Sequence, residues 1–183
     1  MLPVVLTLFL GIFEFGFIWK DDLAIANGVH SAVRVGAADG KNQYADYDII
    51  QQLKTATGLP STAIRGVIVW KADTGSNAKV PQGCKDLVGQ PSQGLSAAGG
   101  VLCNYYSSVD VQNASSTTRD TMFTAACTGL DSTWCGSTRN NSLAGPGPDL
   151  VGVYVQINHN YVTKIFGTSR TMSDQAVMRI EPQ

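Results

Sequence analysis

Few residues of this chain are of the types that perform chemistry, and their spacing matches no catalytic or metal-binding motif. Only two histidines, His30 and His159, are present, and the four cysteines form no Cys-x-x-Cys pair. The chain also lacks the Gly-x-Ser-x-Gly, P-loop and Gly-x-Gly-x-x-Gly patterns that present a nucleophile or bind a phosphate. We therefore expect no enzyme, no metal site, no cofactor and no small-molecule substrate.

The two histidines have simpler explanations than catalysis. His30 falls in a helical stretch and is read as a helix-face residue. His159 falls on the inward face of a predicted strand, which favours a hydrogen-bonded core histidine over a catalytic base. A membrane-anchored hydrolase that uses His159 is kept as a third alternative for function.

The four cysteines, Cys84, Cys103, Cys127 and Cys135, favour disulfides over a metal site. An even number of cysteines in an oxidising compartment implies disulfide bonds, and three pairings are possible. We favour the sequential pairing, Cys84 with Cys103 and Cys127 with Cys135, because it closes two local loops. Each closure adds roughly 2–4 kcal/mol of stability in the loop-entropy estimate. Free buried thiols are the alternative.

One carboxylate interrupts the apolar run that opens the chain. Residues Leu2–Trp19 contain no ionisable side chain except Glu14. About 18 residues of helix span roughly 27 Å, the short end of the range for a membrane helix. No basic residue precedes the run and no small-residue cleavage site follows it, which disfavours a signal peptide. We predict a transmembrane segment over residues 1–19, with Trp19 and Lys20 at the headgroup boundary.

Glu14 shares a helical stripe with Thr7, Gly11 and Ile18, at spacings of three and four residues. A charged carboxylate in lipid costs at least ~2.5–3.5 kcal/mol on insertion scales and is usually paired. Glu14, with Thr7 and Gly11, is therefore a candidate for intramembrane assembly with a polar group of a neighbouring helix. The open alternative is that Glu14 reaches headgroup water unaided.

The helical pattern continues beyond the apolar run, so that one helix is predicted from Leu2 to about Ala38. A stripe of small residues recurs at every fourth position: Ala24, Gly28, Ala32 and Gly36. Small side chains on one helix face permit close approach of another backbone, here the sheet or a partner. Chance in an Ala- and Gly-rich stretch is the alternative.

The remaining sequence predicts an α+β fold in which an antiparallel sheet packs on the long helix. A short amphipathic helix is predicted over Ala45–Gly58, with Asp46 or Asp48 as its cap. The predicted strands are Thr62–Asp73, Val101–Val111, Leu150–Thr163 and Thr171–Glu181. Residues 20–183 would form one extracytoplasmic domain. The net charge of −1 and the absence of a Lys/Arg-rich stripe exclude a nucleic-acid partner.

Two separated motifs carry a resemblance to a known family. The first comprises Gly11, Ile12, Glu14, Phe15 and Gly16, followed by Ala26, Asn27, Arg34, Gly36 and Ala37. The second is the closing hairpin, which ends in Met178, Arg179, Ile180 and Glu181. Together they resemble the TadE-like family of pilin-like proteins (pseudopilins) of the bacterial tight-adherence Flp pilus, and most of all members from high-GC Gram-positive bacteria.

The resemblance implies a pilin-like, membrane-anchored structural protein of pilus assembly. Its partners would be other pilus or pseudopilus subunits, the membrane assembly platform and lipid. It would cross the cytoplasmic membrane once, with its C-terminal domain outside the cytoplasm, at the cell surface or in the pilus. A surface-anchored adhesion module that recognises a ligand through its disulfide-stapled loops is the alternative. Glu14 occupies the family's E-F-G position and is not equated with the acidic residue near the pilin N-terminus.

Overall fold

The computed structural model describes residues 2–164 and 167–182. Positions 1, 165, 166 and 183, which the predicted segments include, lie outside the described residues. The α-helices are α1 (Leu2–Asp39), α2 (Ala45–Thr57), α3 (Gln82–Lys85), α4 (Ser108–Asn113) and α5 (Arg119–Met122). The strands are β1 (Ile64–Ala72), β2 (Gln93–Ala97), β3 (Val101–Ser107), β4 (Leu150–Asn160) and β5 (Ser169–Arg179). The fold is α+β, as predicted.

The five strands form one antiparallel sheet in the order β2-β3-β1-β4-β5. The last two predicted strands pair along their whole length, from Leu150 opposite Arg179 to Asn160 opposite Ser169. This arrangement places β1 at the centre and leaves β5 and the short β2 as edge strands. The turn after β4 therefore lies at the end of a long hairpin.

The C-terminal half of α1 is part of the hydrophobic core. Ile25, Val29 and Val33 are fully buried, and they cluster with the inward-facing Val153 and Val155 of β4. The alternation predicted for β4 is thus the one observed, because every second side chain of a strand points to the same face. Helix α1 is continuous over 38 residues, and only its second half is enclosed in this core.

The opposite face of the sheet carries a second, smaller core. Trp70, Tyr105 and Tyr154 are buried there, and Cys84 covers them from the segment between β1 and β2. Gly152 makes room for the indole, because a Cβ at this position would lie 2.3 Å from Cε2 of Trp70. The sheet is therefore covered on both faces, by helices on one and by a disulfide-linked segment on the other.

Strands β3 and β2 show the clearest differences from the prediction. Strand β3 ends at Ser107 and not at Val111, because the Ser107 side chain caps helix α4 by accepting a hydrogen bond from the backbone N–H of Asp110 at 3.3 Å. Strand β2, Gln93–Ala97, lies in a segment predicted to be loop. Its Gly- and Ser-containing sequence has low β-propensity, and its pairing with β3 makes it a strand.

Candidate interaction site

The N-terminal half of α1 exposes large apolar side chains on every side except the one that carries Gly11, Glu14 and Ile18. They are Val5, Leu6, Leu8, Phe9, Ile12, Phe13, Phe15, Phe17, Trp19 and Leu23, each of them 45–65 % exposed. Within residues 2–164 and 167–182, no helix has both the length and the sustained apolar character of a membrane span. An apolar surface of this extent on a folded protein marks a place where another molecule or a membrane is bound.

Glu14 is the exception on this half of the helix, because it is only 1 % exposed. One carboxylate oxygen, Oε1, accepts the backbone N–H of Val162 at 2.7 Å, and Oε2 accepts that of Thr163 at 3.2 Å. Both donors belong to the turn that follows β4. The partner of Glu14 thus lies in its own chain, 148 residues away, which neither of the two sequence-based alternatives included.

Gly11 and Thr7, the other two candidates for intramembrane assembly, lie at different distances from this contact. Gly11 is half-buried and lines a cleft of about 250 Å³ together with Glu14, Ile18 and Tyr161. Thr7 is exposed, one turn further from the folded domain. The structure therefore brings Gly11 and Glu14 to one cleft and leaves Thr7 on the projecting part of the helix.

The small-residue stripe of α1 marks a tight contact, and its partner is helix α2. A Cβ added at Gly28 would lie 2.4 Å from Cγ2 of Thr57, and one added at Gly36 would lie 2.5 Å from Cδ1 of Ile49. Ala32 is fully buried between them, whereas Ala24 is half-buried. The close approach is between α1 and α2, whereas the prediction named the sheet or a partner as the neighbour of this stripe.

His159 is a buried, hydrogen-bonded histidine near the end of β4. Its Nδ1 lies 2.7 Å from Oδ2 of Asp21 on α1, and its ring meets that of Tyr161 edge to face at 5.5 Å. Among the described residues, the carboxylate of Asp21 is hydrogen-bonded to the ring, and no serine or cysteine is. His30 is exposed on α1, as predicted for a helix-face residue.

Both disulfides have the sequential pairing. Cys84 is bonded to Cys103 with a Cα–Cα distance of 6.4 Å, and Cys127 to Cys135 with one of 5.6 Å. The first bond fastens the covering segment to β3 within the smaller core. The second closes an eight-residue separation in the region between α5 and β4. Both bonds therefore order parts of the chain that contain few regular elements.

A buried ionic cluster was missed by sequence reasoning. Asp46, expected to cap α2, is instead paired with the guanidinium of Arg139, and both side chains are fully buried. The same carboxylate accepts hydrogen bonds from Oη of Tyr106 at 2.5 Å and from Nδ2 of Asn104 at 3.1 Å. The Arg139 guanidinium also lies 4.3 Å from the Trp134 ring. The cluster joins α2, β3 and the segment closed by the second disulfide.

Two carboxyl groups of the folded domain, those of Asp131 and Asp39, have a raised pKa. Burial raises the pKa of Asp131 from 3.8 to about 6, and the neighbouring negative charge of Asp46 contributes in the same direction. Burial also raises the pKa of Asp39 from 3.8 to about 6, with a further contribution from Asp48. Both acids lie where α1, α2 and the 131–139 segment meet, so protonation favours this part of the fold.

The site comprises an exposed apolar surface and a cleft in which Glu14 binds the backbone of the turn after β4. Among the residues that the structure describes, no three His, Cys, Asp or Glu side chains are grouped so that they could hold a metal ion. Comparison with known proteins finds no matching family model, no matching curated protein and no matching solved structure.

Proposed function

We propose that this protein is a membrane-anchored, pilin-like structural subunit that takes part in the assembly of a tight-adherence type IV pilus. The observation that carries the proposal is the division of one 38-residue helix into two halves. The second half is enclosed in the α+β domain, whereas the first half exposes large apolar side chains on most of its circumference. A subunit of this form has a folded domain and an apolar segment that must be buried elsewhere.

Lipid and the corresponding helices of other subunits are the surroundings that suit such a segment. Both would remove Phe9, Ile12 and Phe13 from water, and burial of a large apolar side chain stabilises by about 1.5–3 kcal/mol. The Gly11–Gly16 motif and the closing hairpin support a pilus context. Partners would be other pilus subunits and the membrane assembly platform. Two disulfides fit a domain outside the cytoplasm.

The contact of Glu14 with the turn after β4 refines the proposed membrane boundary. Residues 161–164 carry backbone polar groups, which do not lie in hydrocarbon unless the protein satisfies them. The lipid-facing part of α1 would therefore end just before Glu14, and not at Trp19 and Lys20. Trp19, which is 59 % exposed, would lie beside the folded domain in the headgroup region or against a neighbouring subunit.

The test is a paired substitution in the apolar half with a matched control elsewhere. Phe9 and Phe13 lie one turn apart and are 58 % and 64 % exposed; Val109 and Leu143, in the folded domain, are 61 % and 76 % exposed. The F9S/F13S and V109S/L143S variants each remove two exposed apolar side chains. They would be expressed in a bacterium that assembles a tight-adherence pilus, with recovery measured in carbonate-washed membranes and in sheared pili.

We expect F9S/F13S to be lost from the membrane fraction or from the pilus preparation, while V109S/L143S is recovered in both. Formation of the two disulfides serves as the folding control in each variant. Recovery of F9S/F13S at the level of the unmodified protein in both fractions would show that the apolar half of α1 is not the anchoring and assembly element.

A further inference from the structure

Two carboxylates on one face of α1 hold the end of β4 and the turn after it. Glu14 and Asp21 are seven residues apart, which is close to two helical turns, so they point to the same side. Glu14 binds the backbone N–H groups of Val162 and Thr163, and Asp21 binds His159. We call these five residues the clasp. It joins the first half of the helix to the closing hairpin.

The clasp is a buried contact within an otherwise exposed stretch of helix. Phe13 and Phe15 on either side of Glu14 are 64 % and 65 % exposed, whereas Glu14 itself is 1 % exposed. Removing a carboxylate from water is costly unless hydrogen bonds replace the lost hydration. Here two backbone N–H groups supply them, and such charge-assisted hydrogen bonds are stronger than neutral ones. The turn and the helix therefore stabilise each other.

The position of the clasp along α1 suggests what it does. The fully buried part of the helix begins at Ile25, and Glu14 lies eleven residues before it, about 17 Å along the axis. Beyond Glu14, toward Leu2, the described side chains from Val5 to Phe9 are exposed. The clasp thus holds the helix beyond its fully buried part, and Ile18 packs against the core between Glu14 and Ile25.

We propose that the clasp fixes the direction in which the apolar half of α1 leaves the folded domain, and that Glu14 is its principal positioning residue. A helix held only by its second half can tilt about the core. A second attachment about 17 Å away removes that freedom. The clasp would act in this way whether lipid or another chain buries the apolar half of α1.

Amide hydrogen exchange of the full chain in detergent micelles tests the first part of the proposal, that Glu14 holds the turn after β4. In Glu14→Gln the side chain keeps one acceptor oxygen but places an amide NH₂ against the second backbone donor. Glu14→Ala removes both acceptors. We expect exchange at Val162 or Thr163 to accelerate at least about tenfold in Glu14→Gln, and at both positions in Glu14→Ala. Asp22→Asn, which removes an exposed carboxylate from the same helix, is the matched control.

The amides of Val67 and Val69 in the central strand, together with the two disulfides, report whether each variant is folded. Should Glu14→Ala fail this check, Glu14→Gln decides alone. If a folded Glu14 variant exchanges both turn amides at the rate of the unmodified protein, the proposed role of the clasp is wrong. A uniform loss of protection across β1 and the turn in Glu14→Gln overturns it too, since Glu14 would then support the whole fold.

The second part of the proposal is that the clasp sets the direction of the apolar half of α1. It is tested by electron–electron distance measurements between non-cysteine spin labels at Leu8 and Asn113, both of which are exposed. The unmodified protein should give a narrow distance distribution. Glu14→Gln should broaden it, whereas Asp22→Asn should leave it narrow. A distribution as narrow in Glu14→Gln as in the unmodified protein would show that the core alone sets the direction of the helix.

Discussion

Nδ1 of His159 lies 2.7 Å from Oδ2 of Asp21, although 138 residues separate them in the sequence. One residue belongs to the long helix and the other to the end of β4. The helix therefore contacts the sheet through a polar pair as well as through its apolar core. This pair lies two helical turns from Glu14. The stretch of α1 from Glu14 to Asp21 is therefore attached to the β4–β5 hairpin at two points.

A double-mutant cycle with Asp21→Asn and His159→Gln should detect coupling between these side chains. Residues in one hydrogen-bonded pair show interaction free energies of about 0.5–3 kcal/mol, whereas independent sites add within about 0.5 kcal/mol. The free energy of unfolding would be measured in urea for both single variants and the double variant. His30→Gln, at an exposed position of the same helix, is the control. Additive effects of the two substitutions would contradict the pairing.

The change in stability on substituting a glycine of α1 should depend on which atoms that glycine faces. Gly16 has no atom within 4 Å of a Cβ, so Gly16→Ala should be neutral or stabilise the helix by up to about 1 kcal/mol. Gly28→Leu would force a side chain against Thr57 and Leu53 and cost roughly 1–3 kcal/mol. Thermal unfolding of both variants in one detergent would test this. Equal melting temperatures would show that the contact between α1 and α2 is loose.

The buried ion pair makes Arg139 one of the costliest positions to change. In Arg139→Met the carboxylate of Asp46 loses its counter-ion inside the fold, which typically costs about 3–5 kcal/mol. Asp46→Leu added to Arg139→Met should restore stability only in part, because Tyr106 would lose its acceptor and Asn104 would keep only the carbonyl oxygen of Trp134. Arg34→Met, at an exposed site, should change the free energy of unfolding by less than about 0.5 kcal/mol. Full rescue by the double substitution would argue against the network.

Stability should fall as the pH rises through about 6, because of Asp131. The pKa of this carboxyl is 3.8 in an unfolded chain and about 6 in the fold, so between these values the folded state binds more protons. Its contribution is therefore fully present below pH 3.8 and is lost as the pH passes 6. Asp131→Asn, which stays neutral, should lose less melting temperature between pH 5 and pH 7.5 than the unmodified protein.

Asp22→Asn, an exposed substitution, is the control for that experiment. The pKa of Asp39 is raised in the fold like that of Asp131, so part of the pH dependence of stability should remain in Asp131→Asn. For a domain of this size each ~1 kcal/mol changes the melting temperature by about 2–4 °C. An identical pH dependence in Asp131→Asn and the unmodified protein would show that Asp131 does not titrate in this range.

Much of the fold follows from local patterns. The alternation from Val151 to Ile157 predicts a strand with one buried face, because side chains alternate across a strand whatever its partners are. The Gly and Ala residues at every fourth position of α1 predict that another element approaches this face closely, because small side chains leave room for it. The even number of cysteines, close in sequence, predicts the sequential disulfides. The α+β class and the pairing of the last two strands follow from these features together.

Other features were decided only by the tertiary structure. The sequence identifies Glu14 as an isolated carboxylate, but its acceptor role depends on backbone N–H groups, which every residue except proline carries, so no residue type marks Val162 or Thr163 as its partner. Asp46 and Arg139 are 93 residues apart, and each alone resembles a surface charge. Strand β2 has weak intrinsic propensity and forms because β3 offers an unpaired edge. Side-chain type and spacing encode local conformation, whereas contacts between distant segments depend on how the whole sheet and helix α1 are packed.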